Sequence, residues 1–218
     1  MIRVVLVDDH VMIREGCRRV LESAGNIEIV GQGGSAEEAL PMVRTLKPDV
    51  VLMDIHLPGA SGLQATEHLT ATQPASRVIV LTMIDELPMP QRLLEAGAWG
   101  YLTKNAPADE LVKAVRLVSQ GKHYLSTEIA SKLALNNVRN AGRQSPLDLL
   151  TPRELEVTLR LARGESNKNI AGNLHISEKT VSTHKTRVLE KLGVVNVVAL
   201  ANLLAHHNML TPGRAVTA

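Results

Sequence analysis

Five short apolar runs, each followed by a stretch of helical periodicity, fill the first half of this 218-residue chain and then cease. The runs are Ile2–Val7, Ile27–Gly31, Val50–Met53, Val78–Leu81 and Gly100–Thr103. They do not alternate polar with apolar residues, which predicts strands covered on both faces. Helical patterns follow them near residues 12–23, 36–46, 62–72, 90–96 and 107–119. Alternation of this kind confines the first half to an α/β fold with a parallel sheet and right-handed crossovers. Pro41 interrupts the second helical stretch, which predicts a kinked or shortened helix there.

The pattern then changes. Ser126–Leu135 reads as one more helix, and NNVRNAGRQSP (136–146) is polar and turn-rich, as a linker is. Four helical segments without a strand come next, near 152–163, 167–174, 178–192 and 197–208. Ser166 and Ser177 stand at expected N-caps, and Gly164 and Gly193 at expected C-terminal stops. The division is therefore an α/β domain over 1–122, a linker with a helix over 123–147, and an all-α domain over 148–213. No internal repeat or low-complexity tract appears.

Charge divides at the same place. Residues 1–125 carry 12 Lys+Arg against 15 Asp+Glu, a net −3, and residues 126–218 carry 12 against 7, a net +5. An acidic half joined to a basic half suggests different partners, nucleic acid for the second. One Trp, two Tyr and no Phe imply an aliphatic core and argue against recognition of bases by stacking. The single cysteine, Cys17, rules out an internal disulfide. No apolar run approaches the roughly 18 residues of a membrane span, and MIRVVLVDDH turns acidic too early for a signal peptide. A cytoplasmic protein with no membrane partner is the expectation.

In an open parallel sheet, ligands bind beyond the carboxyl ends of the strands. Asp8 and Asp9 end the first strand, Asp54 the third and Thr82 the fourth, and Lys104 follows the fifth. A lone aspartate there is more often a turn residue or a cap, Thr82 alone a β-branched strand residue, and Lys104 alone a solvated one. All five at one edge have no such explanation. Clustered carboxylates repel unless a cation joins them, and a hard oxygen site with few ligands suits Mg²⁺. One carboxylate can then attack phosphorus while the metal and Lys104 neutralise the charge developing on the phosphoryl oxygens.

The segments LVDDH (6–10), LMDIHLPGASGL (52–63), VLT (80–82) and GYLTK (100–104) resemble the receiver domain of bacterial two-component response regulators over about the first 120 residues. That resemblance implies a flavodoxin-like fold with strand order 2-1-3-4-5. It implies Asp54 as phosphoacceptor, and Asp9, Asp54 and the backbone carbonyl of His56 as Mg²⁺ ligands, with Asp8 shaping the pocket. Thr82 and Lys104 match the phosphoryl-sensing pair, and Tyr101 the aromatic whose rotation reports phosphorylation; by itself Tyr101 reads as a half-buried strand aromatic. The His56 imidazole has no assigned task, and His10 reads equally as a surface residue opening the first helix. The segment DELPMP (85–90) departs from many receivers, because two prolines delay the fourth helix.

Advancing about 100° per residue along Glu178–Leu192 puts Val181, Val188 and Leu192 on one stripe, with Leu189 beside it. Lys179, Thr180, Ser182, Thr183, Thr186 and Arg187 fall on the other side, suited to base edges and phosphates. His184 and Lys185 lie nearer the core margin, where a long stem can reach outward. A short helix and a turn precede this one, which is the helix-turn-helix pattern. A basic amphipathic helix alone is usually a solvated face. However, LTPRELEV (150–157) and GESNKNIAGNLHISEKTVSTHKTRVLEKLGV (164–194) resemble the LuxR/NarL-type DNA-binding domain over nearly its whole length. This implies a third helix in the major groove of double-stranded DNA and phosphate contacts from Asn167 and Lys168. It also implies a homodimer surface at Val197, Val198, Ala201 and Leu204, for which packing inside the domain is the alternative. Asn196 stands where many relatives carry Arg.

Together the resemblances imply a response-regulator transcription factor, phosphorylated at Asp54 by a partner histidine kinase and dimeric when phosphorylated or DNA-bound. LPMP (87–90) and QGKHYLSTEIASKLALN (120–136) are most similar to the global-activator subgroup of GacA/UvrY type, whose members pair with a hybrid sensor kinase and drive regulatory small-RNA transcription. Two other readings stay open. A Mg²⁺-dependent phosphatase or phosphotransferase could use the same aspartate nucleophile. Haloacid-dehalogenase-type enzymes, however, usually carry a second Asp two residues on, where this chain has His56. A constitutive DNA-binding protein could keep the receiver for dimerisation only. No enzyme activity beyond self-catalysed phosphoryl acceptance and loss is expected.

Overall fold

The computed structural model describes residues 1–58, 62–83, 88–139, 146–174 and 176–206. The chain forms two compact units that divide near residue 138. The first is a parallel sheet with helices on both faces. Its elements run β1 (Ile2–Val7), α1 (Val11–Ser23), β2 (Ile27–Gly33), α2 (Ala36–Leu46), β3 (Val50–Met53) and α3 (Gly62–Thr72). They continue with β4 (Arg77–Thr82), α4 (Met89–Glu95), β5 (Gly100–Thr103), α5 (Ala108–Ser119), β6 (Tyr124–Leu125) and α6 (Thr127–Arg139). The sheet order is 2-1-3-4-5-6, all pairs parallel.

The unbroken apolar runs have a direct cause. Successive strand side chains point to opposite faces, and here each face is covered by helices. Val4 and Leu6 of β1 enter one core with Leu52, Ile79, Leu102, Leu111 and Val115. Val5 and Val7 enter the other with Val51, Met53, Val43 and Leu69. The second core is wholly aliphatic, while the first adds the buried Tyr124 and the partly buried Trp99 to aliphatic packing.

Two expectations change. Pro41 does not shorten α2, which runs its full length from the Ser35 cap to Lys47 in the left-handed region at φ 45°. Pro41 costs α2 one backbone hydrogen bond and crowds the preceding turn, but it is exposed and lies away from the core residues Ala36, Ala39 and Val43, whose burial holds the helix. Residues 123–139 also hold a strand ahead of the expected helix. β6 adds a sixth strand, with Tyr124 paired to Gly100 and Leu125 to Tyr101, and α6 follows with Ile129 fully buried. Two residues are too short a run for strand periodicity to register. The rest of the linker, 140–145, lies outside the described residues, as do 85–87 of the DELPMP segment.

The second unit opens with a 3₁₀ turn (Pro146–Leu149), then α7 (Pro152–Ala162), α8 (Asn167–Asn173), α9 (Glu178–Leu192) and α10 (Val197–His206). α7 starts in a capping box in which Thr151 and Glu154 satisfy each other's backbone N–H groups. Ser166 and Ser177 cap α8 and α9 by accepting from Asn169 N–H and Thr180 N–H, and Gly193 ends α9 at φ 64°. Among the described residues no single helix is long and apolar enough to cross a membrane.

Candidate functional site

The strand order reverses between β1 and β3, and a crevice opens beyond their carboxyl ends. Asp54 N–H donates to the Val7 carbonyl at 2.8 Å, which ties the two strand ends together. Asp8, Asp9 and Asp54 therefore converge, with Asp8 5% and Asp54 1% exposed. Lys104 follows β5, and its N–H donates at 2.7 Å to the carbonyl of Thr82, the fully buried last residue of β4. All five residues read from the sequence stand at this one edge. Tyr101 is fully buried rather than half-buried, in register with Val80 on β4 and Leu125 on β6.

Lys104 Nζ donates to Asp54 Oδ2 at 2.6 Å and lies 2.7 Å from Asp8 Oδ2. The other Asp54 oxygen accepts the His56 backbone N–H at 3.1 Å. Burial pushes the Asp54 carboxyl up, but its hydrogen bond with His56 and the Lys104 charge outweigh this and hold it below its ordinary value. Burial pulls Lys104 down, yet Asp54 and Asp8 keep its ammonium above its ordinary value. One ammonium does not balance three carboxylates. The remaining negative charge and the hard oxygen donors fit a divalent cation, and ligand atoms of Asp8, Asp9, His10 and Asp54 all lie within 4.8 Å of one another.

Sequence reading left three contributors unassigned. The His56 ring is buried, with Nδ1 3.7 Å from Asp54 Oδ1. Arg14, one turn into α1, donates to the Asp8 carbonyl. Gly62 packs so closely on the backbone after Asp54 that a β-carbon there would meet the Asp54 carbonyl oxygen at 2.1 Å. None has a spacing signal of its own, because each acts through a contact formed only in the folded sheet. Cys17 lies nearby, and burial with the Asp8 charge pushes its thiol up to about 11, so it stays protonated and unreactive.

In the second unit, Val181 and Val188 of α9 are fully buried, while Leu189 and Leu192 are half-buried. Lys179, Ser182, Thr183, Thr186 and Arg187 are exposed, and Thr180, His184 and Lys185 are half-buried. Thr180 Oγ1 lies 2.8 Å from Ser177 Oγ, so its hydroxyl is drawn into the cap. Thr183 and Thr186 donate to the carbonyls of Lys179 and Ser182, which leaves their methyl groups and oxygen lone pairs outward. On α8, Lys168 is exposed, and Asn167 donates to Ser182 Oγ at 3.2 Å, tying α8 to α9. Arg153 bridges Glu156 at 2.7 Å and the Leu174 carbonyl at 2.5 Å, and so braces the end of α8 on α7. Burial, then the Arg153 charge, hold the His184 imidazole below its ordinary value. His175, in the turn, lies outside the described residues.

The α10 surface needs one correction. Leu204 is 1% exposed and Leu200 fully buried, because these positions face their own domain. Val198 is 70% exposed, and Val197 and Ala201 are half-buried, so the outward face lacks Leu204. Asn196 has a local task instead of an arginine's: its Oδ1 accepts from Ala199 N–H at 2.8 Å and caps α10.

An acid-lined parallel sheet of this order, followed by a helix-turn-helix unit, defines a two-component response regulator with a DNA-binding output domain. Residues 4–116 match the response regulator receiver domain, and residues 148–204 match the luxR family of bacterial regulatory proteins. The chain belongs to the LuxR-type response regulators, and its function is transcription regulation. It is 44% identical over 210 residues to response regulator GacA of Pseudomonas viridiflava, covering 96% of this chain and 98% of that one. It is 38% identical over 209 residues to response regulator UvrY of Escherichia coli strain K12, covering 96% of each. The solved RcsB–DNA complex matches with a TM-score of 0.59 and 27% identity over 94% of this chain and 98% of that one.

Proposed function

We propose that Asp54 accepts a phosphoryl group from the histidine of a partner sensor kinase, hybrid in type, and that this shifts the chain toward a DNA-binding dimer. The observation that carries the reading is the Asp54 carboxylate, buried at the strand edge between Lys104 and the His56 N–H, and ionised in the absence of phosphate. An Asp54 oxygen forms the new bond to phosphorus as the donor's bond to phosphorus breaks. Lys104, within reach of both Asp54 and Asp8, pairs with the incoming phosphoryl oxygens. Asp9, Asp54 and the His56 carbonyl would hold Mg²⁺, with Asp8 beside them, and the ion when bound would neutralise charge on the phosphoryl oxygens. Thr82 turns to the new group and Tyr101 changes rotamer beneath it.

In the second unit, Lys168, Lys179, Lys185 and Arg187 serve phosphates with Asn167, while Thr180, Ser182, Thr183 and Thr186 line the groove-facing side of α9. Val197, Val198 and Ala201 form the contact between copies. The test is intact-mass measurement after incubation with a small phosphodonor and Mg²⁺. Wild type gains one phosphoryl adduct and Asp54→Asn gains none; an undiminished adduct on Asp54→Asn overturns the assignment.

A further inference from the structure

We infer that His10 is a further ligand of the ion in the acidic pocket, and that it biases the pocket toward first-row transition ions over Mg²⁺. The inference rests on the reading that this pocket holds a divalent cation. His10 Nδ1 stands 2.7 Å from Asp9 Oδ1 and 3.2 Å from Asp8 Oδ1. Around a six-coordinate ion with bonds of about 2.1 Å, adjacent donor atoms lie roughly 3 Å apart. The imidazole nitrogen is thus already at adjacent-ligand spacing from two carboxylates, and Asp54 supplies a further oxygen within the same 4.8 Å group.

The backbone explains why the ring is there. His10 is the N-cap of α1, in extended conformation, and its N–H donates to Asp8 Oδ1 at 2.8 Å. Its side chain makes no capping bond to the helix, so the ring turns back over the acids instead. The side chain is 61% exposed at the pocket mouth, so its replacement leaves the core untouched. An all-oxygen site suits Mg²⁺, whereas an imidazole nitrogen adds affinity for transition ions and little for Mg²⁺.

The experiment uses the full chain with Mn²⁺ and Mg²⁺ alone as probes, since softer ions would also find others of the chain's eight histidines. Calorimetry on wild type, His10→Ala and Asp9→Asn is paired with pulsed electron paramagnetic resonance of bound Mn²⁺. His10→Ala is expected to lose about tenfold in Mn²⁺ affinity, with Mg²⁺ affinity changed less than about twofold. The nitrogen coupling to Mn²⁺ seen in wild type should vanish in His10→Ala. Absence of that coupling in wild type, or equal loss for both ions, overturns the role of His10 while leaving the pocket intact. Failure of wild type to bind either ion, or binding indifferent to Asp9→Asn, overturns the pocket reading and the inference with it.

Discussion

At position 62 the backbone leaves no room for a side chain. A β-carbon would sit 2.1 Å from the Asp54 carbonyl oxygen and 2.5 Å from Ile55 Cα, both backbone atoms that cannot swing aside. Gly62→Ala is therefore expected to destabilise the first unit by about 1–3 kcal/mol, the usual cost of overpacking, measured by urea unfolding. It should also slow phosphoryl uptake, because relief of the clash displaces Asp54 itself. An unchanged midpoint together with an unchanged uptake rate would mean that the contact is not made. The motif around residues 57–63 was legible in the sequence, but the contact of Gly62 with the Asp54 backbone was not. That is set by the start of α3 lying against the backbone just after β3, where Gly62 N–H donates to the Ile55 carbonyl at 3.1 Å, a contact with no periodicity of its own.

Among the elements, α9 matches its reading most closely, since 3.6-residue periodicity alone sorts buried Val181 and Val188 from exposed Lys179, Thr183 and Arg187. Two substitutions separate its contributions. Lys179→Ala should weaken binding at all DNA sequences and lower the salt-dependence slope by about 1. Thr183→Ala should keep the slope and relax preference at one base pair by about 1 kcal/mol. Gel-shift titrations over a range of salt read both; two silent substitutions would mean that α9 does not enter the groove. α10 was read less well. Its mean pattern is apolar all round, so periodicity could not say which side faces inward, and only the packing of Leu200 and Leu204 did. β6 escaped notice because two residues carry no pattern. Yet it covers the β5 edge that would otherwise be open, and it pairs Leu125 with Tyr101.

For the whole molecule, the prediction concerns dependence of DNA binding on the pocket. Genome-wide footprinting of wild type beside Asp54→Ala, with and without a phosphodonor, should show sites occupied by phosphorylated wild type and depleted in the variant. Phosphorylation need only shift a pre-existing equilibrium, so a few kcal/mol of differential stabilisation suffices. Equal occupancy in every arm would make this a constitutive DNA-binding protein and remove the switch. The overall charge of +2 describes neither half: the acidic residues 1–125 hold the carboxylate pocket, and the basic remainder holds the linker and the DNA-binding unit.

The sequence by itself determined the five-stranded α/β sheet, the helix-turn-helix with its caps, and the five residues at the strand edge. Those depend on local periodicity and on topology rules that turn strand ends into neighbours. Tertiary structure alone decided that Lys104 bridges Asp54 and Asp8, that His10 folds back on the acids, that Gly62 abuts Asp54, and that Leu204 faces inward. Each of these is a question of distance between side chains or of which side of an apolar helix is covered. Such distances exist only once the chain has closed on itself.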